Sequence, residues 1–136
     1  MAVGISAANV ATIWLNWLKG AAVTTKTANA TYVELHTADP GAAGTTAVSV
    51  GSTTRLNILD AGWTSSSGGS ALTMTAATGP WTNGGTPETV SHIAVFSAAS
   101  AGTFYFSVAL TTPQPWASGN TFTLNTLTVA LTPLAA

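Results

Sequence analysis

The chain has no cysteine and very few charged residues. The absence of cysteine excludes disulfides, thiolate metal sites and cysteine nucleophiles. Charged residues make up 5% of the 136 positions, against about 25% in an ordinary globular domain. Three cationic side chains cannot form the basic surface that nucleic-acid binding requires, and four carboxylates with two histidines leave few groups for acid–base chemistry. The composition therefore argues against an enzyme and against a nucleic-acid-binding protein.

Motifs for catalysis, metal binding and membrane insertion are missing as well. The chain has no Gly-x-Ser-x-Gly turn for a nucleophile and no glycine-rich phosphate loop followed by Lys. His36, His92 and Asp39 supply the residue types of a two-histidine, one-carboxylate metal site, but their spacing matches no ligand motif. No run of 18 apolar residues is present to span a membrane. We expect no catalytic residue, no metal or other cofactor, and no membrane partner.

The length and the hydrophobic content predict one folded domain spanning residues 1–136. Hydrophobic residues make up 46% of the chain, which is ordinary for a globular domain, and this length can bury a core without covalent help. The N-terminus has no basic segment, and Asn16 interrupts its apolar stretch, so it does not resemble a secretory signal. We expect the chain to fold in the cytoplasm where it is made.

One amphipathic helix is predicted, over residues 7–19. Ser6 is a candidate N-cap before it, and Gly20 is a candidate C′ residue after it. The expected partner of its apolar face is the sheet of its own chain, because such a face usually points to the core. Alternatively, part of the face packs on a neighbouring subunit. The apolar residues at helical spacing are Val10, Ile13, Trp14, Trp17 and Leu18.

Strands and turns follow the helix, in a β-domain over about residues 28–133. Segments with alternating apolar residues, many of them β-branched, are separated by stretches rich in Gly and Pro. Asp39-Pro40-Gly41 is a strong turn signal. Segment 89–97 is apolar on both faces, which indicates a central strand, whereas 79–87 is predicted to be a loop. The candidate strands are 31–37, 55–63, 72–77, 89–97, 103–110 and 121–132.

The predicted fold class is mainly β: an antiparallel β-sandwich or barrel-like fold with one N-terminal α-helix. Segments 103–110 and 121–132 are expected to pair as a hairpin, because a loop rich in Pro and Gly separates them. Within 121–132 the apolar residues change phase near Asn125, which is typical of a β-bulge.

Trp81 and Trp116 are the candidate interface residues. The chain has five tryptophans, and these two each follow a proline in a predicted loop. A tryptophan in such a loop is either a lid over the end of the core or an exposed aromatic contact for a partner. The sequence leaves both interpretations open.

Four segments of the chain carry a resemblance to known proteins: Met1–Asn9, Leu35–Thr45, Thr89–Phe96 and Leu127–Ala136. They are similar to segments of a family of small β-rich virion proteins of tailed actinobacteriophages. The most specific is Leu35–Thr45, whereas the region Val50–Gly85 matches poorly. Members of the family are described variously as minor tail, tail-fibre-like or capsid-associated proteins. The resemblance implies a phage structural protein and brings no catalytic residues with it.

The resemblance leaves two places in the virion open. The first is a capsid decoration, or minor capsid, protein that binds the major capsid protein and stabilises the assembled head by mass action. The alternative is a minor tail or tail-fibre subunit that binds other tail proteins and takes part in host attachment. In both cases we expect copies of the chain to associate, most simply as a homotrimer.

The low charge predicts an association that salt does not disrupt. A chain of this mass exposes roughly 6,500 Å², and three cations with four carboxylates cannot cover it; 25 Thr and 12 Ser supply neutral surface instead. Because salt screens only charge pairs, light scattering on the purified protein should show an oligomer at low and at high salt. Dissociation at moderate salt would contradict the neutral interface.

Overall fold

A computed structural model of the chain describes residues 4–21, 31–59, 62–65 and 71–130. The N-terminal helix consists of a π-helical turn, Ala7–Ala11, and an α-helix α1, Thr12–Leu18. Nine strands follow within the described residues. They are β1 (Thr31–His36), β2 (Leu56–Ile58), β3 (Trp63–Ser65), β4 (Ala71–Met74), β5 (Thr78–Thr82), β6 (Glu88–Phe96), β7 (Phe104–Trp116), β8 (Thr121–Leu124) and β9 (Thr128–Ala130).

The strands form three antiparallel sheets. The largest has the order β2-β1-β6-β7, and the other two are β3-β4-β9 and β5-β8. β6 lies between β1 and β7, and its residues from Ile93 to Phe96 are buried, which confirms segment 89–97 as a central strand. The predicted fold class is also confirmed: the fold is mainly antiparallel β with one short N-terminal helix. No barrel closes within these ranges.

One face of the large sheet packs against the two smaller sheets. Val33 pairs with Val95 and Leu35 with Ile93, so these four side chains lie on the same face. They belong to one buried cluster that reaches into the smaller sheets and gives the fold its core. The members contributed by the rest of the chain include Met74, Trp81, Trp116, Phe122, Leu124 and Leu127.

The loop after β1 covers the opposite face of the large sheet. Its predicted turn is confirmed, because the Gly41 N–H donates to Asp39 Oδ1 at 2.8 Å. Gly44 has φ of 71° and lies against Phe104, so that a Cβ at this position would sit 2.4 Å from the ring. Only glycine fits this conformation and this contact.

A largely buried ion pair lies on this face of the large sheet. Nε and Nη2 of Arg55 donate to the two carboxylate oxygens of Glu34 at 3.1 and 3.3 Å. The guanidinium carbon lies 3.4 Å from the centre of the Phe96 ring, which adds a cation–π contact. Burial raises the pKa of Glu34, but hydrogen bonds and charges from His36 and Arg55 outweigh it and hold this pKa below its ordinary value of 4.5.

Strand pairing differs from the prediction at the C-terminal end. β7 pairs with β6, β8 with β5, and β9 with β4, so the hairpin predicted for 103–110 and 121–132 is wrong. The phase change near Asn125 marks a break between β8 and β9, which join different sheets, and not a bulge within one strand. The alternation of side chains shows which face of a strand is buried, but it does not show which strand lies alongside. The passage of the chain from one sheet to another between β8 and β9 therefore produced the same sequence pattern as a bulge.

Other boundaries also shift. The predicted loop 79–87 includes most of β5, and β7 continues to Trp116 through a predicted loop. Segment 55–63 divides between β2 and β3. Residues 28–30, 60–61, 66–70 and 131–133 of the predicted β-domain lie outside the described residues.

The ion pair predicts a specific sensitivity to acid. Because the pKa of Glu34 is lower in the folded protein than in the unfolded chain, its contribution to stability is present above pH 4.5 and is lost as the pH falls below this value. Glu34→Gln leaves the Arg55 charge unpaired and should lower the free energy of unfolding by about 3 kcal/mol at neutral pH.

Urea denaturation of the variant and the wild type at neutral and at acid pH measures this difference. The gap should narrow as the pH falls below 4.5, because protonation removes the Glu34 charge from the wild type. Lys19→Gln, which removes an exposed charge, is the control. A gap that stays constant across this range would contradict a charge-dependent role for Glu34.

Candidate functional site

The N-terminal helix is fixed at its start to the outer edge of β7. The Ser6 N–H donates to the Tyr105 carbonyl at 2.6 Å, and the Ser107 N–H donates to the Gly4 carbonyl at 3.0 Å. Asn9 Nδ2 donates to the Phe104 carbonyl at 2.9 Å. Gly4 to Ser6 thus adds a short strand to β7, and the helix leaves the sheet from there.

Both ends of the helix are capped by hydrogen bonds between residues of the same segment. Ser6 Oγ accepts the N–H of Asn9 at 3.3 Å, which confirms it as the N-cap. Gly20 has φ of 77°, and its N–H donates to Trp17 while that of Ala21 donates to Asn16. This is a Schellman motif, so the predicted C′ position is confirmed. The local sequence therefore ends the helix without help from tertiary packing.

The apolar face of the helix is exposed, contrary to the expectation that it packs on its own sheet. No residue of α1 is buried, and within the helix only Val10 packs against the core. Trp17 and Leu18 are 67% and 70% exposed, and Trp14 is 44% exposed. Hydrogen bonds tie only the start of the helix to β7, and none of the described residues buries α1. The set of exposed apolar residues, hereafter the helix surface, is Ile13, Trp14, Leu15, Trp17 and Leu18.

The helix surface is too wide for the single stripe of an ordinary surface helix. At about 100° per residue, its five residues span roughly 200° of the circumference. The remaining arc carries Thr12, Asn16 and Lys19. A helix that is apolar around most of its circumference is normally enclosed by other protein.

The area of the helix surface fits a protein contact. With about 150–250 Å² for a large aromatic side chain, the observed exposures leave roughly 500–600 Å² of these residues uncovered. Covering this area contributes about 12–15 kcal/mol, which is similar to the cost of about 4–15 kcal/mol for association. The helix can therefore supply a large part of an interface, but further contacts are needed for a stable complex.

Trp81 and Trp116 lie in the core. Each is 2% exposed, and both rings pack near Phe122, with centroids 6.0 and 6.3 Å away. Their Nε1 atoms donate to the carbonyls of Thr54 and Asn120. This arrangement fits the lid interpretation, and a contact role would require each ring to leave this packing.

The two histidines considered for a metal site lie in the large sheet, each within hydrogen-bond distance of a protein group. His36 pairs directly with His92 across β1 and β6. His36 Nδ1 is 2.8 Å from the Thr46 carbonyl, and His92 Nδ1 is 2.8 Å from Ser91 Oγ. Within the described ranges no three His, Asp or Glu residues are placed to hold a metal ion. In the same ranges no helix has the length and apolar character to cross a membrane.

Comparison with known families identifies the kind of protein. The family model for the podophage GP4 fiber I protein gp80 matches residues 4–132. The chain belongs to this gp80 family. The match includes 50–85, the region that the sequence resemblance covered poorly. No curated protein is significantly similar to the gp80-family chain.

The family match bears on the two places in the virion, head or tail, that the sequence leaves open. It makes the gp80-family chain a fibre or tail structural protein of a phage virion, which agrees with the resemblance to virion proteins at that level. The match supports the tail-fibre alternative and gives no support to capsid decoration. The narrower relation to actinobacteriophages stays a prediction, since the family description names only podophages.

The exposure of the helix surface predicts an unusual pair of mutational effects. Trp17→Ser combined with Leu18→Ser should change the free energy of unfolding of the isolated chain by no more than about 0.5 kcal/mol. The buried Trp81, replaced by Ala, should cost about 3–5 kcal/mol. Urea denaturation in dilute solution, where copies do not associate, compares the two. A large loss for the helix variant would show that its own chain covers the helix.

Proposed function

We propose that this gp80-family chain is a non-enzymatic structural subunit of a tail fibre, that it takes part in host attachment, and that its N-terminal helix joins it to other chains of the virion. The observation that carries the proposal is the exposed helix surface in a chain of a phage fibre family. The helix is anchored to β7 and correctly capped, so its exposure is part of a well-formed structure and not a frayed end.

The roles of the few carboxylates support a non-enzymatic protein. Glu34 is bound to Arg55. Glu88 accepts the N–H groups of Val50 and Gly51, each at 3.1 Å, as well as the Ser49 hydroxyl. These carboxylates hold loops in place. A general acid or base would instead need a free carboxylate facing a substrate cleft.

Copies of the chain are the proposed partners, together with tail proteins. The net charge of −1 gives no strong repulsion between copies. A homotrimer is the simplest closed ring in which each copy contributes one surface to its neighbour and receives another. Multiple neutral contacts of this kind suit an assembled fibre, in which each subunit is held by several neighbours at once.

Location on the particle tests the proposed function. Antibodies raised against the purified chain should label the tail fibres of intact phage in electron micrographs. The same antibodies preabsorbed with purified chain are the control and should label nothing. Label spread over the head would contradict the proposal and support capsid decoration. Absence of the chain from purified particles, measured by mass spectrometry, would contradict a virion role altogether.

A further inference from the structure

Asn83 is the only one of the seven asparagines in the chain that is followed by glycine. In such a pair the asparagine can lose its side-chain amide without an enzyme, because glycine has no side chain to hinder attack by its own backbone nitrogen. The Asn83-Gly84 pair is therefore the position in the sequence that is most prone to deamidation.

Deamidation at this pair needs only water as a second reactant. The Gly84 nitrogen attacks Cγ of Asn83, the bond from Cγ to Nδ2 breaks, and the proton of the Gly84 N–H leaves with Nδ2 as ammonia. Water then opens the resulting cyclic imide at one of its two carbonyls, which gives aspartate or isoaspartate. The reaction requires a Gly84 nitrogen that can lose its proton and an Asn83 side chain that can turn toward it.

In the folded chain the Asn83 side chain is held by three hydrogen bonds. It is 1% exposed. Its Nδ2 donates to the carbonyls of Trp116 at 2.8 Å and of Thr86 at 3.2 Å, and its Oδ1 accepts the Gly85 N–H at 2.8 Å. The amide thus uses both of its hydrogens and its oxygen, so it cannot turn toward the Gly84 nitrogen without breaking these bonds.

The attacking nitrogen is held as well. The Gly84 N–H donates to the Gly51 carbonyl at 2.8 Å. The Gly51 N–H donates in turn to Glu88 Oε1, and the Val50 N–H donates to Glu88 Oε2, each at 3.1 Å. Glu88 therefore fixes the backbone that holds the Gly84 N–H. Both reacting groups are unavailable while the contact between Gly51 and Gly84 stays closed.

The product of deamidation does not suit the place that Asn83 occupies. A carboxylate there has no hydrogens to donate to the carbonyls of Trp116 and Thr86, and its charge would be buried. Asn83 Oδ1 and Glu88 Oε1 both lie against Gly51, where a Cβ would be 2.6 and 2.8 Å from them. The new carboxylate would therefore face an existing one, and the repulsion between the two opposes closure of this contact.

We propose that Asn83 is a deamidation site that the fold keeps closed, and that reaction there converts a chain that has opened into one that does not close again. The fold is the gate, because the hydrogen bonds around Asn83 and Gly84 break only when this part of the chain opens. The product is the lock, because it carries a charge that the closed contact does not accommodate. This inference is independent of the proposed function.

Deamidation rates of the folded and the unfolded chain test the gate. Two samples are kept at the same mildly alkaline pH and temperature, one in buffer and one in guanidinium chloride, and deamidation is located by peptide mass spectrometry. In guanidinium chloride Asn83 should react before any other asparagine. In buffer its rate should be at least about tenfold lower, because only the open form reacts. Equal rates in the two samples, or faster reaction of another asparagine in guanidinium chloride, would overturn the proposal.

Gly84→Ala is the matched control for the reaction. Apart from its chain neighbours, the nearest atom to a Cβ at this position is the Gly51 carbonyl oxygen, 3.9 Å away, so the fold has room for the methyl group. The variant should fold like the wild type, while the methyl group hinders the attack on Asn83. In guanidinium chloride its Asn83 should deamidate at least about tenfold more slowly than that of the wild type. An unchanged rate would contradict attack by the Gly84 nitrogen.

Asn83→Asp carries the product and tests the lock. The amides of Gly84 and Gly119, which donate to the Gly51 and Asn83 carbonyls, should exchange hydrogen at least about tenfold faster than in the wild type. Amides in the centre of β6 should keep their protection. Wild-type protection at Gly84 and Gly119 in the folded variant would show that the contact closes around a carboxylate, and the proposal would fail.

Refolding gives a second measurement of the lock that does not depend on the stability of a variant. Wild-type and Gly84→Ala chains are held in guanidinium chloride for increasing times and then diluted into buffer. Recovery of the native tryptophan fluorescence should fall in the wild type in step with deamidation at Asn83, whereas the Gly84→Ala chains should recover it at every time. Equal recovery of the two proteins after complete deamidation of wild-type Asn83 would reject the lock.

Discussion

The hydrogen bonds that tie Gly4, Ser6 and Asn9 to the edge of β7 determine where the helix can go. They hold the first helical turn against the sheet, while the Schellman motif at Gly20 ends the helix a few residues later. Between these two fixed points, no residue of α1 is buried by the part of the chain that the structure describes. The exposure of Trp14 and Trp17 therefore follows from local hydrogen bonding, and in the proposed function other chains of the virion cover them.

The small number of charges also favours association of the chain with other subunits. Glu34 and Arg55 neutralise each other in a largely buried ion pair, and Glu88 accepts the backbone N–H groups of Val50 and Gly51. The surface that remains consists mainly of hydroxyl, amide and apolar groups. Such a surface is poorly suited to a monomer in dilute solution and well suited to a fibre subunit, which is covered on several sides by its neighbours.

The sequence predicts local features of this molecule better than long-range ones. The limits of the helix follow from Ser6 and Gly20, and the central position of β6 follows from its two apolar faces. The pairing of β7, β8 and β9 could not be derived, because alternation shows which face is buried and not which strand lies alongside. The exposure of individual tryptophans could not be derived for a related reason. Trp14 lies in a helix and Trp81 in a strand, and nothing in the local sequence distinguishes their burial. Only the tertiary structure shows that Trp14 is exposed and Trp81 is buried.

Hydrogen exchange measured at two protein concentrations tests the central claim most directly, since it reports where copies cover one another. Backbone amides of Thr12–Leu18 should exchange quickly in dilute protein and slowly in concentrated protein, because assembly encloses the helix. Amides of β6, which are buried in every copy, should be protected equally at both concentrations. Exchange in α1 that does not depend on concentration, in a sample shown to associate, would contradict the account.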